Sequence, residues 1–329
     1  MQVISTLHKF DENNFTSFGC CDHTILWVPT LVHHSPLETL VLETEYKGVE
    51  SSNFRKKPVS FYLHTYYSNK KMAAASPVFL LTGASRGIGK ATALAALTTF
   101  NARVVAVARN ADLLKELQSE ADKLGKADSL VVVAGDVTDI QIVKQSVALA
   151  IEKWGQLDAI IANAGVVQPL ASVADVSIEE FKRSFDINFF SIVSLIQEAL
   201  PHLRKSKGSI IMVSSGAASR GYLGWAAYGS SKAAMNHLAS TLSAEESDVT
   251  SIAIRPGIVD TDMQSVLRAE GKESMKDDHQ KFIDLYNSGA LVRPEQSGHV
   301  LAALAAKPPR AMTGSFCSWD DESLKDYRL

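Results

Sequence analysis

The chain has 329 residues, of which 46% are hydrophobic and 21% charged, with a formal net charge of −3. That length suits one large domain with an extension or two small ones, and that balance suits a globular protein with a sizeable core. No overall basic field points to nucleic acid or an anionic membrane, and no apolar run approaches the ~20 residues of a membrane span.

Residues 1–71 hold five of the nine histidines but only two glycines. No helical or strand period persists there. A secretory signal would need a basic start and an apolar run, and a mitochondrial transit peptide would be Arg-rich and acid-poor. This segment has one arginine, Arg55, and seven acidic residues. Residues 1–71 are therefore expected to be a dispensable extension, a disordered tail or a gene-model artefact, with a domain over 72–329. His33-His34 lacks partner ligands for a metal. Cys20 and Cys21 are adjacent and poorly placed to pair. With Cys317 they read as ordinary thiols of a reducing compartment. The expected location is cytoplasmic.

From residue 77 short apolar runs alternate with amphipathic helices. The runs are Val78–Leu81, Val104–Ala108, Leu130–Ala134, Leu157–Ala162, Ser209–Val213 and Ser251–Ile254. They lack alternation, as strands buried on both faces of a parallel sheet do. Leu113, Leu114, Leu117, Ala121 and Leu124 mark one helical face, and Gly125 can end that helix. Thr138 with Gln141 and Ser177 with Glu180 have the spacing of capping boxes. Repeated β-α-β units predict a Rossmann-type doubly wound parallel sheet flanked by helices, with ligands beyond the carboxyl ends of the strands.

The first run leads into Thr82-Gly83-Ala84-Ser85-Arg86-Gly87-Ile88-Gly89-Lys90. Gly83 permits a tight turn, Gly87 lets the backbone approach a phosphate, and Gly89 lets the next helix pack close. The helix N-terminus then offers free N–H groups and a positive dipole end to a pyrophosphate. An acid at the end of the second strand would favour NAD. Here the strand ends Val107-Ala108-Arg109-Asn110, without one. Arg109 can pair with a 2′-phosphate and Arg86 can add a second positive charge, so the expected cofactor is NADP(H). Asp136-Val137 ends the third strand, beside the expected adenine. Asn163-Ala164-Gly165 ends the fourth, where small residues let a ribose lie against the backbone.

Tyr228-Gly229-Ser230-Ser231-Lys232 puts a phenol and an ammonium four residues apart on one helix face. A free phenol, with pKa near ~10, is a poor acid–base group at neutral pH. An ammonium at ~4 Å and an effective dielectric of ~20 would favour the phenolate by ~4 kcal/mol before desolvation. Tyr66/Lys70 and Tyr67/Lys71 share the spacing but lack any supporting pattern. Thirteen residues before Tyr228 lies Ser215, which can donate to a carbonyl oxygen; Ser214 is its rival, but the interval to the tyrosine favours Ser215. Asn188 falls on a long helix, where its amide either serves structure or holds a water that relays protons to Lys232. Tyr222, Leu223, Trp225 and Met263 either form an aromatic substrate pocket or pack helices.

With these residues assembled, the chain from about 77 to 329 resembles the short-chain dehydrogenase/reductase family. The resemblance rests on the glycine loop, Asp136-Val137, Asn163-Ala164-Gly165, Asn188, Ser215, Tyr228/Lys232 and Arg255-Pro256-Gly257-Ile258-Val259-Asp260-Thr261. It implies hydride transfer between a nicotinamide and a carbonyl carbon, with Asn188, Ser215, Tyr228 and Lys232 as a catalytic tetrad. It also implies that the loop carrying Pro256, Gly257, Val259 and Thr261 holds the carboxamide, and that 262–292 is a substrate lid. The stretches FDINFFSIVSL, VSSGAASRGYLGWAAYGSSKAAMNH and PGIVDTDMQ look like the branch of benzil reductases that form (S)-benzoin, itself similar to sepiapterin reductase. That branch implies aromatic or vicinal diketone substrates, and the family implies a homo-oligomer packed through its long helices. Two other readings stay open: an NADP-dependent alcohol dehydrogenase, and a non-enzymatic NADP(H) sensor.

Overall fold

The computed structural model describes residues 76–329 and, before them, the strands Gly19–Cys20, His23–Thr24, Trp27–Val32 and Thr39–Thr44. The chain divides into two units, Met1–Asn69 and Lys70–Leu329. In the first, Trp27–Val32 pairs antiparallel with Thr39–Thr44, and Gly19–Cys20 with His23–Thr24. These ladders were not anticipated from sequence; both longer strands are rich in β-branched and apolar residues. The expected extension of 1–71, the start at Met72, His33-His34, Cys21 and the pairs Tyr66/Lys70 and Tyr67/Lys71 lie otherwise outside the described residues.

In the second unit, seven parallel strands form one sheet. They are β1 (Val78–Thr82), β2 (Arg103–Ala108), β3 (Leu130–Ala134), β4 (Ala159–Ala162), β5 (Ser209–Val213), β6 (Thr250–Arg255) and β7 (Phe316–Ser318). Their spatial order is β3-β2-β1-β4-β5-β6-β7, all neighbours parallel. The order reverses between β1 and β4, the switch point at which open α/β sheets bind ligands. This is the doubly wound sheet expected from the apolar runs.

Alternation along each strand feeds two apolar layers. Phe79, Leu81, Val104 and Ala106 pack on α1 (Gly87–Thr98), α2 (Ala111–Lys123) and α10 (Pro294–Ala306), through Leu97, Leu114, Leu117 and Leu301. Val78, Leu80, Val105 and Val107 face α3 (Ile140–Trp154), α5 (Ser191–Ser206) and α6 (Ala226–Glu245), through Val143, Leu195, Ile196 and Met235. Between β4 and α5 the chain passes through α4 (Ile178–Phe185) and a π-helical turn, Asp186–Phe190. Beyond β6 come α7 (Asp262–Glu270), α8 (Lys272–Met275) and α9 (Asp277–Asn287), which occupy the segment expected to form the lid.

The Ser177 box forms as expected: Glu180 N donates to Ser177 Oγ, and Ser177 Oγ donates to Glu180 Oε2 at 2.9 Å. The Thr138 box does not form. Thr138 instead donates its N–H and hydroxyl to Asp136 Oδ1, and Asp139 caps α3 by accepting from Gln141 N at 2.8 Å. A carboxylate one residue nearer the helix serves that donor better than the hydroxyl. Leu124, expected on the buried face of α2, is 48% exposed because the helix has ended at Lys123.

Candidate active site

One cavity of about 540 Å³ opens over the carboxyl ends of β1, β2, β4, β5 and β6. Among the sequence-predicted cofactor residues it is lined by Gly83, Ser85, Arg86, Gly87, Ile88, Gly89, Arg109, Asp136, Val137, Asn163, Ala164, Gly165, Pro256, Gly257, Val259 and Thr261. Ser215, Tyr228 and Lys232 line it too. Asn188, fully buried, does not.

The glycine loop fits a close-lying ligand backbone for a steric reason. Gly83 sits at φ +67, where L side chains are strained. A Cβ on Gly89 would lie 2.0 Å from Gly83 O, so no side chain fits where α1 leaves the turn. The first N–H groups of α1 therefore reach the cavity without a side chain in front of them. Opposite, Asn163 Nδ2 donates to Thr82 O at 2.9 Å and Gly83 O at 3.1 Å, and Asn163 N and Ala164 N both donate to Thr82 Oγ1. These bonds fasten the ends of β1 and β4 across the switch point. Such a cavity, with bare N–H groups and small residues along its floor, fits a dinucleotide.

At the β2 and β3 ends, Arg109 Nη1 lies 4.0 Å from Asp136 Oδ2. Burial tends to raise the Asp136 carboxyl, but the two Thr138 hydrogen bonds and the charges of Arg109 and Arg183 hold it below its ordinary value. Arg86 pairs with Asp262, the first residue of α7, a partner that the sequence did not suggest.

Tyr228 and Lys232 are 7% and 4% exposed. Lys232 Nζ donates to Val213 O at 2.8 Å and lies 5.8 Å from the centre of the Tyr228 ring. Burial pushes the Tyr228 phenol up, opposed by the neighbouring Ser215 hydroxyl, and pulls the Lys232 ammonium down to about 7. The sequence led to the expectation that the ammonium would depress the phenol. In the folded protein desolvation of both groups outweighs that attraction.

Ser214 and Ser215 separate cleanly. Ser214 Oγ donates to Asn236 Oδ1 at 2.6 Å, which commits it to the scaffold. Ser215 Oγ accepts from Ala217 N at 3.1 Å, and its hydroxyl stands against the Tyr228 phenol at the cavity, not in the scaffold. Asn236 follows Lys232 by four residues, one turn on along the face that carries Tyr228. Asn188 sits in the π turn rather than in an unbroken helix. Its Nδ2 donates to Val166 O and Ser184 Oγ and its Oδ1 accepts from Val166 N, so the amide is occupied by protein.

The far end of the cavity is aromatic. The Tyr222 and Trp225 rings lie 4.9 Å apart, and Trp225 meets Tyr228 edge-on at 5.5 Å and Phe282 at 5.4 Å. Met263 and Leu267 of α7 complete the lining. Leu223, expected in this pocket, is 48% exposed instead, with its N–H bound to Asp278. Phe282 and Leu267 were not foreseen, since they come from helices whose polar sequences hide the buried face.

Known proteins place this geometry. A family model described as short chain dehydrogenase matches residues 77–272. An uncharacterized oxidoreductase of Schizosaccharomyces pombe is 47% identical over 247 residues, 74% of this chain and 97% of the relative. A benzil reductase ((S)-benzoin forming) of Saccharomyces cerevisiae is 40% identical over 259 residues, 75% of this chain and 97% of the relative. The crystal structure of a short chain dehydrogenase/reductase from Saccharomyces cerevisiae superposes with a TM-score of 0.74 at 39% identity, covering 77% of this chain and all of that one. Among the described residues no helix is long and apolar enough to cross a membrane. With a parallel sheet, a glycine loop at its switch point and a matching family model, the chain belongs to the short-chain dehydrogenase family of oxidoreductases.

Proposed function

We propose that the protein is an NADPH-dependent carbonyl reductase acting on ketones or vicinal diketones. The observation that carries this reading is the convergence of Ser215, Tyr228 and Lys232 on one cavity with the glycine loop, beneath an aromatic wall. When bound, the reduced nicotinamide supplies a hydride to the carbonyl carbon. Ser215 donates a hydrogen bond to the carbonyl oxygen, and Tyr228 delivers a proton to that oxygen as it becomes a hydroxyl. A phenol that burial keeps protonated suits the reductive direction, because it enters the reaction as an acid. Lys232, in its charged form, favours loss of that proton and passes on its replacement. Asn188 acts by holding the loop after β4 in place beside Lys232.

The preference for NADPH rests on Arg86 and Arg109 in the cavity wall and on the lack of an acid at the end of β2. The diketone reading is supported by the aromatic wall and by the relative named as a benzil reductase. Residues 72–329 are proposed to carry the whole activity, in the cytoplasm. We also propose a homo-oligomer packed through its long helices.

The test follows oxidation of NADPH and of NADH separately, with benzil and a panel of small ketones. Turnover with NADPH, weak with NADH, is expected. Tyr228→Phe should bind NADPH normally and lose activity by roughly 100- to 10,000-fold. Undiminished activity in that variant would overturn the catalytic assignment. Binding of NADPH without reduction of any carbonyl would favour the sensor reading, and turnover only from alcohol and NADP would favour the dehydrogenase reading.

A further inference from the structure

Arg86 and Asp262 are 176 residues apart, yet they form an ion pair at the rim of the cavity. The pair joins the glycine loop to the first turn of α7. That helix carries Gln264 and Leu267, which are buried against the substrate end. Its last residue, Glu270, accepts from Gln168 Nε2 at 3.1 Å in the loop after β4. Helix α7 is thus tied at both ends to segments that frame the cofactor cleft.

The two arginines assigned to the 2′-phosphate are therefore unequal. Arg109 stands 4.0 Å from the Asp136 carboxylate, at the outer limit of an ion pair. Arg86 is engaged closely by Asp262. A guanidinium has donors on more than one edge, but a phosphate bonded to Arg86 would still face the Asp262 carboxylate across the same group. Like charges so placed repel. Both side chains are more than half exposed, so the pair is weak enough to exchange.

We propose that Asp262 is a specificity-determining residue that competes with the dinucleotide 2′-phosphate for Arg86, so that binding of the phosphate releases the first turn of α7. The proposal rests on the NADPH reading above. It gives the adenosine end of the cleft a direct connection to the helix covering the substrate end. By linkage, whatever the phosphate does to α7, the state of α7 does to phosphate affinity. Asp262 also stands in the first turn of α7, where an acid favours the helix dipole. That simpler role would act on NADPH and NADH binding alike, which separates the two.

The experiment titrates NADPH and NADH into the full chain by nicotinamide fluorescence, for wild type, Asp262→Asn, Arg86→Ala and the double variant. Asp262→Asn should raise the ratio of NADPH to NADH affinity by about two- to fivefold, the range of an exposed pair. In the Arg86→Ala background the same change should leave the ratio untouched. Hydrogen exchange of the 262–270 segment should quicken with adenosine 2′,5′-bisphosphate and not with adenosine 5′-monophosphate. An equal effect of Asp262→Asn on both dinucleotides, or exchange blind to the 2′-phosphate, would overturn the proposal. A wild type that binds both dinucleotides equally, with a preference for NADPH emerging in Asp262→Asn, would overturn the NADPH reading and uphold the competition at Arg86.

Discussion

Asn188 and Val166 clasp each other: Val166 N donates to Asn188 Oδ1 at 2.8 Å, and Asn188 Nδ2 returns a bond to Val166 O at 2.9 Å. The clasp ties the loop after β4 to the π turn. A Cβ on Gly165 would lie 3.1 Å from Asn188 Oδ1 and 3.6 Å from Lys232 Nζ, so the same clasp sets the space beside Lys232. A π turn inserts one residue into a helix and re-aims a side chain, and such turns recur at functional sites.

Asn188→Ala strands the N–H and C=O of the half-buried Val166, which lose their bonds to the amide oxygen and the amide nitrogen respectively. Each lost bond with a stranded group costs roughly 1–3 kcal/mol. Urea denaturation should show a loss of about 2–4 kcal/mol in unfolding free energy. Dinucleotide affinity should fall as well, since Gly165 lines the cavity. A variant that keeps both stability and affinity while losing turnover would mean that Asn188 acts on protons directly.

Ser214 and Ser215 should fail in different ways. Ser214→Ala removes the donor to Asn236 and should cost about 1 kcal/mol of stability with little change in kcat. Ser215→Ala removes the acceptor of Ala217 N and should also cost about 1 kcal/mol, but it alone should lower kcat by about 100-fold or more, as loss of a donor to a developing oxyanion does. Melting curves and steady-state kinetics on the two variants decide it. The reverse pattern would assign carbonyl binding to Ser214.

These cases also mark how far the sequence could be read. The glycine loop, the Tyr228/Lys232 spacing and the strand ends are local patterns, and all of them meet in one cavity. The interval to Tyr228 already favours Ser215 over Ser214; what the sequence could not show is the bond of Ser214 to Asn236, a neighbour only when α6 packs on β5. The engagement of Arg86 by Asp262 spans 176 residues and has no local signature. The π turn shifts the helical phase by one inserted residue, but it falls in the run Phe185-Asp186-Ile187-Asn188-Phe189-Phe190, too apolar for the shift to show in sequence. Strand β7 has three residues, too few to register a period, and exists because β6 offers an edge. Helices α7 and α9 read as polar because only isolated residues, Leu267 and Phe282 among them, are buried.

Arg109 should act on the 2′-phosphate alone. Its guanidinium lines the cavity at the end of β2 and is 61% exposed. Arg109→Ala should weaken NADPH binding by about tenfold, the value of one charge-assisted contact, and leave NADH binding unaltered. Titration of both dinucleotides by fluorescence measures the ratio. Equal weakening of both would place Arg109 at the pyrophosphate or the adenine instead.

Lys232 gives the protein a pH dependence of known sign. Its folded pKa, about 7, lies below the ordinary lysine value because burial strips the ammonium of water. Between those two values the unfolded chain holds more protons than the folded one, so stability rises with pH. Below about 7 both states are protonated and the penalty of the buried charge is complete. Lys232→Met removes this titration while keeping the bulk of the stem. It also strands Val213 O, a loss that is the same at every pH. The difference in melting temperature, variant minus wild type, should therefore be most positive at pH 6 and decline towards pH 9.5. One pKa unit is worth ~1.4 kcal/mol, so the decline reaches about 3 kcal/mol at most, or on the order of 6–12 °C in a domain of this size. Thermal unfolding of the ligand-free proteins at four or five pH values would read it directly. A difference that stays flat with pH would mean that Lys232 keeps its charge at little cost, its ammonium solvated by water or by groups that the Val213 carbonyl alone does not represent.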